Sequence, residues 1–309
     1  MYMVQLAAME PRCPEFVPDP SLSRTAMETM QREIADAAVF EDEFDFDQAA
    51  VSARATLSDT LAEDGPGAGP DRSATPGGPV VAGVDAAFLD GSVDGEEDEG
   101  DAGEGSTGGD GGSGERAVGA VVLSRGGQVL ERASAVVDCG FPYVPGLLSF
   151  REAGAVLAAF ASLETEPDLA LFDGSGRIHY RQAGLATHLG VVLDLPGIGV
   201  AKGLLCGRPR EPLDALPAGA RVAVEAGEEI TAPDGSALPA ETVVGYALQT
   251  RQYGSGSRTI NPIYVSSGHR VGTETAADLV ERLCTDYKLP EPTRLADRYA
   301  DETKGDHGA

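Results

Sequence analysis

The chain has 309 residues, enough for one large domain or two smaller ones with a sizeable core, and sets 23 Lys plus Arg against 50 Asp plus Glu, a formal net charge of −27. No run of about eighteen apolar residues occurs and no basic region leads into an apolar core at the amino terminus, so a soluble, cytoplasmic protein with no membrane partner is expected. Four cysteines, Cys13, Cys139, Cys206 and Cys284, stand far apart without a CxxC pair, which argues against a zinc ribbon or a disulfide framework.

Only Lys202, Lys288 and Lys304 are lysines, and there is no Trp. Acidic excess with scarce lysine suits a salt-rich cytoplasm, where self-repulsion is screened and hydrated carboxylates keep the surface soluble. Residues 90–115 hold ten acids and no base, yet the remainder still carries −17, so the acidity is general.

Residues 1–24 are irregular and proline-rich, and are expected to form a disordered extension. Thr25 to Ala55 shows Met27, Met30, Ile34, Ala38 and Phe40 at roughly helical spacing, interrupted near the EDEFDFD run. A Gly/Pro linker at 65–79 then delivers the chain to Val80–Phe88, a continuous run of small and β-branched residues that reads as a buried strand with Asp85 inside it. An acid there is costly unless it is paired or binds a metal. The low-complexity acidic segment at 90–115 reads as a disordered loop expansion between strands, followed by strands at Ala117–Leu123 and Val129–Val137 with a turn at Gly126-Gly127.

Phe141 to Glu152, FPYVPGLLSFRE, holds an aromatic on a proline-stiffened loop ahead of a helix start. Ser149 with Glu152 three residues on fits a capping box, so Glu152 could serve only the helix end. A striped helix follows to Leu163. Asp168–Asp173 reads as a strand running into Gly174-Ser-Gly176, Ile178–Leu189 as a turn plus helix, and Gly190–Lys202 as strand, break and strand. Further strands are expected near Val222, Tyr246 and Ile263–Ser267, then a helix over Glu274–Tyr287 and a shorter one in EPTRLADRYA. Hairpin-linked strands followed by alternating helices and strands make an α/β protein, a mixed sheet flanked by helices of the ribonuclease H-like kind. Residues 25–300 would form that domain and 301–309 a tail.

In such a sheet the first and fourth strands are neighbours. Asp85 and Asp173 then meet above one edge with Glu152 facing them, an arrangement that calls for a hard cation and points to phosphodiester hydrolysis. VAGVDAAF, PYVPGLLSFRE, DGSGRIH, GVAK and SGHR, in this order, resemble endonuclease V, the repair nuclease for deaminated adenine, over roughly Met27 to Ala300. The resemblance implies that Asp85, Glu152 and Asp173 bind Mg²⁺, with Mn²⁺ as an alternative. It implies that Tyr143, with Pro142, Val144 and Pro145, is a wedge. Gly146, Leu148, Gly174, Gly176 and Leu185 would line a pocket for a flipped hypoxanthine. His179, Lys202 and His269 would lie near the scissile phosphate as ligand-orienting, charge-stabilising and water-positioning groups. The implied reaction is nicking of DNA containing deoxyinosine at the second phosphodiester on the 3′ side, by a monomer.

Two departures stand out: Ser175 where the family often has His or Gln, and Tyr180 where a proline usually follows the histidine. Inosine-specific cleavage of RNA, a lesion-binding protein that does not cut, and a generic nuclease of the same fold are the competing readings. Strong salt weakens lysine and arginine contacts to phosphate, and this chain has few of them. Nicking is therefore expected to persist in molar KCl; full activity in dilute buffer with loss at molar KCl would overturn this, in a salt titration of the initial rate.

Overall fold

The computed structural model describes residues 9–54, 77–89, 115–253 and 259–307. Its centre is a nine-stranded mixed sheet in the order β3-β2-β1-β4-β5-β9-β8-β7-β6. The strands are β1 (Val81–Leu89), β2 (Arg116–Arg125), β3 (Gln128–Asp138), β4 (Leu169–Asp173), β5 (Gly197–Ala201), β6 (Arg208–Pro209), β7 (Arg221–Glu225), β8 (Val243–Leu248) and β9 (Ile263–His269). Among the described residues five α-helices accompany it: α1 (Arg24–Ala37), α2 (Leu148–Phe160), α3 (Leu185–Leu193), α4 (Thr273–Leu283) and α5 (Glu291–His307). This is the ribonuclease H-like arrangement expected from the order of strands and helices. No helix among the described residues is long and apolar enough to cross a membrane.

The turn at Gly126-Gly127 joins β2 to β3 with φ of 52° and 78°, left-handed values that glycine adopts without strain. The segment at 90–114, expected to be a disordered acidic insertion, lies outside the described residues, as do most of the linker at 65–79 and residues 1–8.

Alternation along β1 decides which side Asp85 serves. Ala82 and Val84 join the core beneath α2 and α3, with Val156, Phe160 and Leu189. Val81 belongs to the opposite core with β9 and α4. Gly83 lies on that second face against the start of α5, where a Cβ would sit 1.9 Å from the carbonyl oxygen of Pro292. On the other face Gly119 of β2 meets α2 in the same way, a Cβ there lying 2.3 Å from the Ala155 backbone. Each helix is thus seated backbone to backbone on a strand glycine.

Several expectations are corrected. Residues 9–23 are not a disordered extension: Pro14–Phe16 forms a 3₁₀ turn, and the amides of Arg12 and Cys13 donate to the Val192 carbonyl on α3. His188, fully buried, ties this segment down, with one ring nitrogen on the Phe16 carbonyl at 2.8 Å and the other on the Ser149 hydroxyl at 3.2 Å. Burial pulls its pKa down to about 4, so it acts as a neutral double link. Residues 190–193 continue α3 and are not a strand, because Val191 and Val192 pack in the core as helix residues. Residues 301–307 are the last turns of α5, not a tail; Thr303 is buried and Arg116 donates to the His307 carbonyl.

The glycine seat carries a test. Gly83→Ala forces α5 outward and is expected to cost on the order of 1–3 kcal/mol, read as a lowered melting temperature. Gly77→Ala, where a Cβ meets nothing within 4 Å, is expected to leave it unchanged.

Candidate active site

The parallel register pairs Val84 with Phe172, so the next residue on each strand, Asp85 and Asp173, stand side by side at the sheet edge. α5, seated on Gly83, brings a third acid over them. The carboxylates of Asp85, Asp173 and Asp297 offer oxygens that all lie within 4.8 Å of one another. Lys202, just past β5, places its ammonium 2.8 Å from Asp173 and 3.1 Å from Asp297. Burial opposes its charge, but hydrogen bonds and attraction from both aspartates prevail and raise its pKa.

Glu152 faces this group from the second turn of α2. Burial first, then the charges of Asp85 and Asp173, push its pKa up to about 8. Burial, then Asp173 and Asp297, push Asp85 up to about 7. Two full charges at such separation repel by about 3.5 kcal/mol at an effective dielectric near 20. One lysine cannot offset three or four carboxylates. The donor set, all oxygen and backed by an ammonium already drawn between two of the acids, fits a hard divalent cation. Asp85, Asp173 and Asp297 are the residues placed to hold it.

Asp297 was missed in the sequence because EPTRLADRYADETKGDH carries five acids and nothing in that helix marks one of them. The available signal was position, about one and a half turns after Pro292. The capping-box reading of Glu152 does not hold: the N-cap of α2 is Leu147 with no side-chain cap, and Ser149 turns to His188.

Beside Glu152 and Asp173 opens a cleft of about 190 Å³. Tyr143, Val144, Pro145 and Gly146 form one wall, and Gly174, Ser175 and Leu185 another. The first turns of α2 and α3, at Leu148 and Leu185, face into it, and leading amides of a helix have no acceptor in their own helix. Leu205, 41% exposed, closes the cleft and had not been singled out. Pro142 and Gly176 are not among its walls; Gly176 lies beneath, where a Cβ would come 2.1 Å from the Ser267 carbonyl oxygen.

The proline-stiffened Tyr143 loop also has a packed base. Phe141, Val144 and Leu147 pack with Met27 and Phe150, while Tyr143 stands 68% exposed. Beneath its ring lies the Arg151 guanidinium, 5.8 Å from the Tyr143 centroid, 4.7 Å from that of Phe88 and paired with Glu115 at 2.6 Å. A buried cation between two aromatic faces steadies both.

The two histidines are corrected. His179 lines the cleft but is spoken for: one ring nitrogen meets the Gly146 carbonyl at 3.1 Å and the other accepts from the Arg181 amide. Burial lowers its pKa to about 4, so it is a neutral brace for the Gly146 wall. His269 pairs across β5 with Gly197, at the end of the sheet remote from Asp173, and bonds Val39 and Asp194. It cannot position a water at the carboxylates. The larger hollow of about 680 Å³ opens at that remote end too, between Asp168, Asp194 and Arg270, away from the acids.

Asp85 and Glu152 hold protons in the fold up to about 7 and 8, while ordinary unfolded values are 3.8 and 4.5. The folded state therefore binds more protons in that window, and metal-free stability falls as pH rises through it. The buried His179 and His188, depressed from 6.5 to about 4, act oppositely below 6.5. A melting series in chelator is expected to decline between pH 6.5 and 8, and Asp85→Asn to flatten the decline and to abolish stabilisation by added Mg²⁺. A flat wild-type series would contradict the cluster's electrostatics.

The Endonuclease V family model matches residues 106–298. Endonuclease V of Haloarcula marismortui is 51% identical over 298 residues, covering 96% of this chain and 98% of that protein. That of Halobacterium salinarum is 50% identical over 289 residues, covering 93% and 97%. Among solved structures, endonuclease V from Streptomyces avermitilis aligns with a TM-score of 0.63 at 29% identity over 93% of this chain and 95% of that one. The Ciona intestinalis enzyme, solved in complex with a 24-mer DNA containing an inosine followed by a ribo-adenosine, aligns with a TM-score of 0.57 at 21% identity over 90% and 96%. With its aspartate cluster and its cleft on the sheet edge, this nuclease belongs to the endonuclease V family.

Proposed function

We propose that the protein nicks DNA at the second phosphodiester bond 3′ to a deoxyinosine, acting as a monomer with a divalent cation, Mg²⁺ or Mn²⁺. The observation that carries this reading is the continuity of cleft and cluster: Glu152 and Asp173 line the cleft and also adjoin Asp85 and Asp297. A base taken into the cleft leaves its 3′ phosphates running over the carboxylates. All of these groups come from one chain, which is why a monomer suffices.

Tyr143 is exposed on a braced loop and serves as the wedge that fills the gap left by the extruded base. Extrusion costs least where pairing is already weak, as at an inosine mismatch. Hypoxanthine carries a carbonyl where adenine carries an amino group, so an amide aimed at that position leaves adenine unpaired and rejects it. Asp85, Asp173 and Asp297 would hold the cation, which supplies charge to the phosphate oxygens and lowers the pKa of a bound water. Glu152, beside these acids at the cleft wall, is placed to take or return a proton. Lys202 balances the charge of Asp173 and Asp297. The Ciona intestinalis complex, with inosine-containing DNA on the same fold, supports the choice of substrate.

A labelled duplex with one deoxyinosine, in high KCl with Mg²⁺, is expected to be cut only in the inosine strand, two bonds 3′ of the lesion. An undamaged duplex is expected to remain whole, and Asp297→Asn to lose at least about 100-fold in rate, on the scale of losing one charged transition-state contact. Cutting of inosine RNA with no cutting of DNA would replace this reading with the RNA one.

A further inference from the structure

The cleft and the carboxylates account for the strand up to the cut, and Lys202 is committed to Asp173 and Asp297. In a chain of charge −27 with three lysines, a second lysine stands in the same field. Lys288 lies in the short connection between α4 and α5, three residues before the helix that carries Asp297. Its carbonyl accepts a hydrogen bond from Thr250, and the neighbouring Asp286 carbonyl accepts one from Arg251, which pins the connection to the end of β8, at the same end of the sheet as Lys202 and with β9 and β5 between β8 and β4. Burial and then the charge of Lys202 lower the Lys288 pKa, and no carboxylate raises it. Its ammonium feels the charge of Lys202 and, among the described residues, is in no ion pair. Next to it Tyr287 is 52% exposed, its ring held by the Arg294 guanidinium 4.5 Å from the centroid, and Arg294 is locked to Glu291.

The two faces of the sheet edge differ. The cleft lies on the side of α2 and α3, and counts Glu152 and Asp173 but neither Asp85 nor Asp297 among its walls. Lys288 and Tyr287 lie on the side of α5. A strand that leaves the cleft and crosses the carboxylates arrives at them. Six residues of helix, about 9 Å, separate Glu291 from Asp297, or two to three base-pair steps of about 3.4 Å along a duplex axis.

Resting on the proposed cut 3′ to the lesion, we propose that Lys288, with the braced Tyr287 ring beside it, binds the backbone phosphates of the nicked strand on the 3′ side of the cut. The contact is to phosphate and not to bases, so it adds affinity without lesion preference. It also serves to hold the 3′ product end.

The test compares wild type, Lys288→Ala, Lys288→Arg and Tyr287→Ala on inosine and undamaged duplexes, by fluorescence anisotropy and by nicking kinetics. The duplexes carry either a long 3′ flank or one cut back to two nucleotides past the lesion, with matched 5′ truncations. Lys288→Ala is expected to weaken binding of inosine and undamaged DNA alike, about 5- to 10-fold, and to reduce the slope of log affinity against log salt by about one. KM rises with kcat unchanged, Lys288→Arg restores affinity and salt slope, and the difference vanishes on the 3′-truncated duplex but survives 5′ truncation. Tyr287→Ala is expected to weaken binding with no change in salt slope. Equal affinity of Lys288→Ala and wild type on the long 3′ flank, or a loss that follows 5′ truncation instead, would overturn the assignment. Binding is read without cutting, so a wild type that binds but does not nick inosine DNA refutes the proposed reaction and leaves the Lys288 comparison readable.

Discussion

Carboxylates that repel one another are held together here, and much of the architecture serves to hold them. Asp85 and Asp173 are fixed by the ladder between β1 and β4, Glu152 by α2 and Asp297 by α5. Neither burial nor charge favours this grouping: both push protons onto Asp85 and Glu152. The cost is carried by the apolar cores on the two faces of the sheet, which fix strands and helices whatever the acids prefer. A site so arranged is strained until a cation joins it, which is the state in which binding energy can be spent on a substrate phosphate.

The precision comes from two backbone contacts. Gly83 lets α5 approach β1 at Pro292, and Gly119 lets α2 approach β2 at Ala155. Any side chain at either glycine would lift a helix, and with it one acid, away from the edge. The Tyr143 loop is braced in a different currency, by the Phe141, Val144 and Leu147 cluster and by a guanidinium between two rings. It is a braced arm standing in solvent, the form that the proposed wedge requires.

An acidic surface leaves few cations for phosphate. Lys202 serves the acids, His179 braces a cleft wall, and His269 belongs to the far end of the sheet with Asp194. On the proposed reading, recognition rests on the cleft, the exposed aromatic and the cation that the carboxylates would hold, terms that salt screens less than surface attraction. That division fits a protein whose relatives include enzymes of Haloarcula and Halobacterium.

The sequence by itself determined the strand alternation, the hairpin at Gly126-Gly127, the neighbouring places of Asp85 and Asp173, and the stiff loop around Tyr143. These follow from local periodicity, turn chemistry and proline geometry, which act over a few residues. Only the tertiary structure decided that Asp297 completes the cluster, that His269 stands remote from it, that His179 and His188 are neutral braces, and that residues 9–23 are clasped to α3. Each of those depends on which backbone lies across from which, as Gly83 beneath Pro292 or Gly197 beside His269. One acid among the five of α5 looks like any other until the helix is laid on its glycine and one carboxylate is turned to the sheet.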